Sequence, residues 1–513
     1  GVLLVRFFAA RLAPRCHPYL PGASASARRS LSTQAGEEEH QPLFEKLLVA
    51  NRGEIACRVM RTAKRLGIST VAIYSDADKN SVHVAMADEA VRVGGPAPSQ
   101  SYLSIDNVLE AVVVSGAQAV HPGYGFLSEN AEFVKRLEQQ GVAFVGPPAS
   151  AVTAMGDKVE SKRLAVAAGV NTIPGYVGVV ASLDEALRAA RKIGFPVMVK
   201  ASAGGGGKGI RIVHGEEGME EGFRLATDEA VSSFGDGRLL VEKLIEKPRH
   251  IEMQVMADNF GAVVYYPERE CSIQRRNQKV IEEAPSVVLD PATRQAMGEQ
   301  AVALCREVGY RSAGTLEFLV DQEKQFYFLE MNTRLQVEHP VTEMVTGVDL
   351  VEQMIRVAAG QRLPPQSDPS PSGSGWAIEA RVYAEDPAAD FMPSVGRLHT
   401  YIEPRAATGG GVTVRVDTGV TEGSDISIHY DPMISKLVTH AMDREAAVAA
   451  MEQALDTYVV RGVKNNIPFL RELVAHPAFA RGDLTTGFIP EHFPAGCGLG
   501  ALSGGQEREL AAL

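Results

Sequence analysis

The stretch that most narrows the architecture is Glu330-Met-Asn-Thr-Arg-Leu-Gln-Val-Glu-His339, entered directly from Phe326-Tyr-Phe-Leu329. Taken two by two, Glu330, Asn332, Arg334, Gln336 and Glu338 form one row, and Leu329, Met331, Thr333, Leu335 and Val337 the other. Strand side chains alternate between faces, so an extended chain here buries one row and presents five polar groups in line. Pro340 has no N–H to offer and is expected to end the ladder. Alternation alone fits an edge strand with one wet face. The make-up of the row argues for a site, because carboxylates and an amide suit a divalent cation and a guanidinium forks onto a small anion.

A chain of 513 residues has length for two to four domains, and its 45% hydrophobic and 22% charged content is that of a globular protein. A net charge of −12 argues against a nucleic-acid partner, which needs a basic face. No run reaches the length of a transmembrane helix, so no membrane partner is expected. The first 36 residues carry Arg6, Arg11, Arg15, Arg28 and Arg29, several serines, and no Asp, Glu or Lys. That composition is expected of a mitochondrial transit peptide, over about residues 1–40, and predicts a matrix location. Cysteines 16, 57, 271, 305 and 497 form no disulfide framework and no CxxC metal site, which suits a reducing compartment.

From Phe44, a strand (Leu47–Ala50), a helix with Ile55, Val59, Ala63 and Leu66 on one face, and a strand (Thr70–Tyr74) predict a βαβ opening, hence an α/β chain with a Rossmann-like N-terminal domain. Asn51-Arg-Gly-Glu-Ile-Ala56 has one glycine where a dinucleotide fingerprint needs three. His121-Pro-Gly-Tyr-Gly125 reads as a turn before a helix start at Ser128-Glu-Asn130. Further on, Asp157-Lys158 opens a helix running to Gly169. The strand Val197–Lys200 leads into Ala203-Gly-Gly-Gly-Gly-Lys-Gly209, followed by strand-like Ile210–Val213. This is not a Walker A loop, because Gly209 follows Lys208 and no helix opens there. A glycine loop between two strands is expected to be a flap whose N–H groups close over phosphates. Cys271–Lys279, taken alone, reads as a solvated basic loop, and Gly314–Val320 as a strand holding Glu317 among apolar neighbours. A buried glutamate wants a cation, either a metal or a salt-bridge partner. Residues 361–375 form a Pro/Ser/Gly linker, and a third unit follows with strands near Ala377–Ala384 and Gly411–Val416 and a helix over Glu445–Val460. The expected domains are 43–155, 156–360 with a lid over about 175–245, and 376–495, then a fraying tail at 496–513.

Together these pieces predict phosphoryl transfer from ATP to an oxyanion. Lys200, Lys208 and the flap would hold phosphates. Glu317, Glu330 and Asn332 would hold Mg2+ or Mn2+. Arg334 and the Arg275–Lys279 run would form an anion pocket, with Glu338 nearby as base. The base must stand apart from the metal carboxylates, since a coordinated carboxylate accepts protons poorly.

Residues 44 to about 494 resemble the biotin carboxylase portion of biotin-dependent carboxylases, an ATP-grasp fold. The motifs are Val49-Ala-Asn-Arg-Gly-Glu-Ile-Ala56, His121 to Asn130, Lys200 to Gly209, Cys271 to Lys279 and Glu330 to Pro340. Within that family, Arg269 to Lys279, Val170 to Gly175 and Arg461-Gly-Val463 look most like the alpha chains of mitochondrial propionyl-CoA carboxylases. The resemblance implies a central ATP-grasp domain with a glycine-rich flap and an α+β C-terminal domain. It also implies ATP-dependent carboxylation of biotin by bicarbonate through carboxyphosphate. Lys158, Lys200 and Gly204, Gly205, Gly206, Gly207, Lys208 and Gly209 would meet the ATP phosphates. Glu242, Lys243, Ile245 and His250 would lie near base and ribose, with Gln274 and Asn277 also on the nucleotide. Lys279, Arg334, Gln336 and the Val337 backbone would bind bicarbonate, Glu338 would take its proton, and Arg381 would stabilise the biotin enolate. Many relatives have His where this chain has Asn277, which excludes acid–base chemistry there. Family members continue into a region that meets a beta chain and into a carrier bearing biotin on a lysine in Ala-Met-Lys-Met. These 513 residues lack that motif, so biotin would arrive on a carrier outside them. Two alternatives are a nucleotide-binding chain without turnover and another ATP-grasp carboxylate ligase.

Overall fold

The computed structural model describes residues 43–176, 178–202, 209–366, 374–405 and 411–494. The expected transit segment and tail, Gly204–Lys208 of the flap and part of the linker lie outside them.

The first unit is a parallel sheet of β1 (Lys46–Val49), β2 (Ser69–Ser75), β3 (Glu89–Gly94), β4 (Ala119–His121) and β5 (Ala143–Phe144), in the order β3-β2-β1-β4-β5. The helix Gly53–Arg65 packs against it because Ile55, Val59, Met60 and Ala63 recur on one face, all at most 2% exposed. Lys64 and Arg65 fall in its last turn, where cations meet the negative end of the helix. The strand order reverses between β1 and β4, and a crevice opens beyond their carboxyl ends. Asn51 pins that crevice, donating from Nδ2 to the carbonyls of Pro122 and Tyr124 at 2.7 Å each. Asn130 caps the following helix Ala131–Gln139, its side chain accepting from the Phe133 N–H.

The lid is a separate antiparallel sheet of β6 (Val197–Ala201), β7 (Ile210–Val213) and β8 (Leu239–Lys243), in the order β7-β6-β8, covered by the helices Leu183–Ile193 and Met219–Phe234. The flap therefore joins two paired strands, Lys200 facing Ile210 in register. Gly209 needs its lack of Cβ: φ is +70° and a Cβ would meet that of Ala201 at 2.8 Å.

The largest sheet takes in β9 (Arg249–Ala257), β10 (Val263–Tyr265), β11 (Arg269–Arg275), β12 (Gln278–Ala284), β13 (Ser312–Val320), β14 (Phe326–Asn332) and β15 (Trp376–Tyr383). It continues into the strands Met433–Ala441 and Thr413–Thr418, with the order β14-β13-β9-β11-β12-β15 before them and β10 beside β9. The third unit is thus joined by backbone hydrogen bonds to the second through β12 and β15.

Four expectations need correcting. The alternating stretch does not stay extended: β14 ends at Asn332, and Pro340 sits in the first turn of the helix His339–Thr346. Pro is favoured there because that N–H has no helical partner. Nor does the polar row stand apart from the other: Asn332, Gln336 and Glu338 are buried like Thr333 and Leu335, while Glu330 and Arg334 are half-buried at the cleft. Cys271–Lys279 is no loop but the β11–β12 hairpin, turning on Arg276 and Asn277 with φ of +51° and +64°. Asn tolerates that left-handed region, which explains Asn277 in backbone terms. The helix expected to reach Val460 stops at Thr457, and Val459–Arg461 form a short strand against Thr400–Ile402.

Candidate active site

A cleft of about 1360 Å3 lies between the three units, lined from the lid (Lys200, Glu242), the large sheet (His250, Lys279, Glu317, Glu330), the β14 exit (Arg334, Gln336, Val337) and β15 (Arg381). The crevice residues Arg52, Glu54 and Tyr124 close its other wall.

At the lid end, Asp157 caps the helix Lys158–Ala167 through the N–H groups of Val159 and Glu160, and so aims Lys158 at the cleft. Burial and the neighbouring Lys200 push the Lys158 ammonium below its ordinary range. Lys200 and Lys162 both hold Glu242, Lys162 at 2.8 Å. Against the cost of burial, those two cations keep the Glu242 carboxyl below the usual range. Lys243 also lines the cleft, yet its ammonium donates to the carbonyls of Gly194 and Phe195, each at 3.0 Å. Ile245 lies on the same wall, as does Asn277 at the hairpin turn.

Glu317 on β13 stands directly opposite Glu330 on β14. Its Oε1 accepts from Lys279 (2.9 Å), Asn332 (2.9 Å) and Gln336 (3.3 Å). Its Oε2 lies 3.0 Å from His250 Nε2. Gln274 Nε2 lies 2.9 Å from the other ring nitrogen, Nδ1. Burial disfavours charge on Glu317, but Lys279 and His250 overcome it and lower its pKa. Glu330 goes the other way: burial and the facing Glu317 push it up. Among the described residues no cation is bonded to Glu330. Two facing carboxylates with an amide oxygen nearby and one counter-charge too few fit a hard divalent cation.

Lys279 is the hub, and its ammonium donates to Glu252 (2.6 Å), Glu317 (2.9 Å) and Glu338 (2.6 Å). Glu338 is fully buried behind it, its second oxygen taking Arg381 Nη2 at 3.0 Å. Burial raises the cost of charge there, yet Lys279, Arg381 and Arg269 hold the Glu338 carboxyl well below its usual range. Arg334 does not enter the apolar core; it bonds Glu129 (2.8 Å), Gln336 (2.9 Å) and Asn332 (3.1 Å). The Val337 carbonyl is taken by the buried Lys436 at 2.9 Å.

The structure brings most of the described residues singled out in the sequence into this cleft, with Glu338 directly behind Lys279. Gly209 does not line it, and Arg275, expected in the anion pocket, turns away to Glu385 at 3.1 Å and to the ring of Phe391. The structure adds Lys162, Glu129, Glu252, Arg269 and Glu282, which sequence reasoning missed. A signal existed for Glu252: His250, Glu252 and Gln254 alternate with Ile251, Met253 and Val255, the same period-two row as at β14. Arg269 lies wholly buried against Glu252, Gln254, Thr315 and Thr342, so its charge is neutralised inside the sheet.

Comparison with known proteins gives the same arrangement a family. Residues 43–152 match the biotin carboxylase N-terminal domain, residues 157–366 the ATP-binding domain of the carbamoyl-phosphate synthase L chain, and residues 379–491 the biotin carboxylase C-terminal domain. The mitochondrial propionyl-CoA carboxylase alpha chain of Mus musculus is 61% identical over 469 residues, which cover 91% of this chain and 64% of the mouse protein. The corresponding alpha chain of Ruegeria pomeroyi is 58% identical over 470 residues, covering 88% of this chain and 69% of that one. The chain thus spans about two thirds of the length of these relatives. The biotin carboxylase domain of the Hydrogenobacter thermophilus 2-oxoglutarate carboxylase, solved with MgADP, ADP and bicarbonate, superposes with a TM-score of 0.83 at 47% identity, covering 88% of this chain and 98% of that one. Among the described residues no helix is long and apolar enough to cross a membrane. The fold is the biotin carboxylase arrangement of N-terminal, ATP-grasp and C-terminal domains, and the chain belongs to the biotin carboxylase family, with the propionyl-CoA carboxylase alpha chains.

Proposed function

We propose that this chain carries out the ATP-dependent carboxylation of biotin by bicarbonate. The observation that carries the reading is the convergence of Lys279 and Arg381 on the buried Glu338, in a cleft whose lid end presents Lys158 and Lys200. Lys158, Lys200 and the flap take the ATP phosphates, with Glu242 holding Lys200 in place. Glu317, Glu330 and Asn332 would hold Mg2+ or Mn2+, which when bound neutralises phosphate charge. Bicarbonate lies against Lys279, Arg334, Gln336 and the Val337 backbone. Ligand-free, Glu338 is a weak base because two cations face it. An incoming anion draws on those same cations and so raises the proton affinity of Glu338. Glu338 removes the bicarbonate proton, and the freed oxygen attacks the γ-phosphate in line, giving carboxyphosphate and ADP. Carboxyphosphate then breaks to CO2 and phosphate, the phosphate takes the ureido proton of biotin, and the resulting nitrogen adds to CO2. Arg381 stabilises the enolate charge that develops on the ureido oxygen.

In the longer relatives' setting, carboxybiotin on a carrier domain would pass to a beta chain that carboxylates propionyl-CoA to methylmalonyl-CoA, in the mitochondrial matrix. The units 43–155, 156–360 and 376–495 would then act as one half-reaction module. The test is ATP cleavage by the purified chain with Mg2+, which should require bicarbonate and rise on addition of free biotin. A folded chain showing neither dependence overturns the reading. Formate or acetate supporting the same rate would point instead to a general carboxylate ligase.

A further inference from the structure

Beneath Arg381 lies a second carboxyl pair that the mechanism above does not use. Glu282 on β12 and Glu379 on β15 stand opposite one another in the antiparallel register, and both are 0% exposed. Glu282 Oε1 accepts from Arg381 Nε at 2.6 Å, while its Oε2 and both oxygens of Glu379 find no hydrogen-bond partner among the described residues. Two carboxylates facing one another at this depth would repel, with Arg381 bonded to Glu282 but, among the described residues, no cation bonded to Glu379. A single proton between them removes the repulsion and gives two of the three orphaned oxygens a partner. The cover on this face is apolar, with Val341, Val345, Ala284, Ala377 and Val438 clustered beside it.

We infer that Glu282 and Glu379 share one proton and serve as positioning residues for Arg381, the charged Glu282 holding the guanidinium through Nε and Nη2 so that Nη2 also reaches Glu338 at the cleft. The inference rests on the biotin carboxylation assigned to the site. The other charges acting on the pair are Arg381 on β15, Lys279 on β12, Lys436 on the next strand and Glu338 before the helix. The helix that crosses these strands carries His339, held neutral by its burial, and Glu343, engaged by Arg58 and Arg415. Burial, opposed by Arg381 and reinforced by Glu338, pushes the Glu282 carboxyl up to about 7. Burial likewise holds Glu379 well above its ordinary range, against Lys436 and with Glu282. Because Arg381 bonds Glu282 and, among the described residues, no cation bonds Glu379, the proton rests on Glu379 and the charge on Glu282. The clamp on Arg381 weakens once the medium is acidic enough to protonate Glu282 too.

Two measurements test this. Infrared difference spectra of wild type against Glu379→Gln at neutral pH should show loss of a buried carboxylic-acid C=O band, in the folded chain and whether or not it turns over. Absence of that band from wild type, or its persistence in the variant, overturns the proposal. In Glu282→Gln, the ratio of biotin-stimulated to biotin-independent ATP cleavage should fall about tenfold or more, as when a charge-stabilising group is misplaced rather than removed. The rise of that ratio with pH through neutrality should disappear with it. A wild-type ratio and pH profile in Glu282→Gln would also overturn the proposal. Loss of bicarbonate dependence in wild type would instead defeat the functional reading and leave the infrared result to decide the pair.

Discussion

Glu338 shows how much one side chain can depend on its neighbours. Its two oxygens are each held by a cation, and the Lys279 that holds one of them also holds Glu252 and Glu317. Replacing it as Glu338→Gln keeps the volume and removes the proton acceptor. Bicarbonate-dependent ATP cleavage should fall by roughly 10²–10⁴-fold, the usual worth of a general base. Nucleotide binding, followed by fluorescence titration, should persist, because Lys158 and Lys200 stand at the other end of the cleft. Elsewhere, buried groups set the response to acid. Burial lowers His83 to about 4 and His121 to about 3, with Arg52 and Arg58 adding to it, so both are neutral when folded. The unfolded chain binds those protons near pH 6.5, so stability is lost as pH falls below that value and keeps falling toward 4. Asp78, against its burial, is lowered to about 2 by Arg52, and adds a loss of about 2 kcal/mol as pH drops from its unfolded value toward 2. Melting temperature by scanning calorimetry should therefore decline in two stages, and His83→Gln should blunt the first.

At the level of elements, the β6–β7 hairpin shows what sequence reasoning could reach. Four glycines between two short β-branched runs announced a flap, and β6 and β7 do pair on either side of it. Gly209 closes it at the start of β7. Gly209→Ala places a methyl against Ala201 in a left-handed backbone, a strain of about 1 kcal/mol. The KM for ATP should rise several-fold with little change in melting temperature, and an unchanged KM would show that this turn does not shape the nucleotide site. The β14 exit shows the opposite. Its polar row was legible as a site, because the residue types implied metal and anion ligands. Its conformation was not, because alternation was taken for a strand where Thr333 to Glu338 is irregular and mostly buried. A loop that satisfies its backbone through neighbours, as Thr333 N–H does on Glu129 204 residues away, carries no local signature. Glu282 and Glu379 were illegible for the same reason: only the β12–β15 register brings them together.

Across the whole molecule, the three units behave as one body because their contacts are buried and charged as well as apolar. One core cluster mixes Ile55, Val59 and Met60 of the first unit with Leu335, Leu350 and Met354 of the second. At its edge Glu343 ties all three units. It accepts from Arg58 of the first (2.7 Å) and Arg415 of the third (2.8 Å), and also from the Leu350 N–H (2.7 Å). A buried ion network of this kind adds little net stability over a well-packed apolar one, but removing a single member strands its partners. Arg58 is 7% exposed and would keep only Asp349 and Thr62, and Arg415 would keep Asp417. Glu343→Ala should thus cost about 3–5 kcal/mol, far more than the same change at a surface site. Because the loss falls where the units meet, it should appear as a split in the calorimetric transition rather than a simple shift. The first unit would melt ahead of the sheet that joins the other two through β12 and β15. Glu343→Gln, which still accepts from one arginine, should lower the midpoint without splitting it. A single, unsplit transition in Glu343→Ala would show that the apolar cluster alone couples the units.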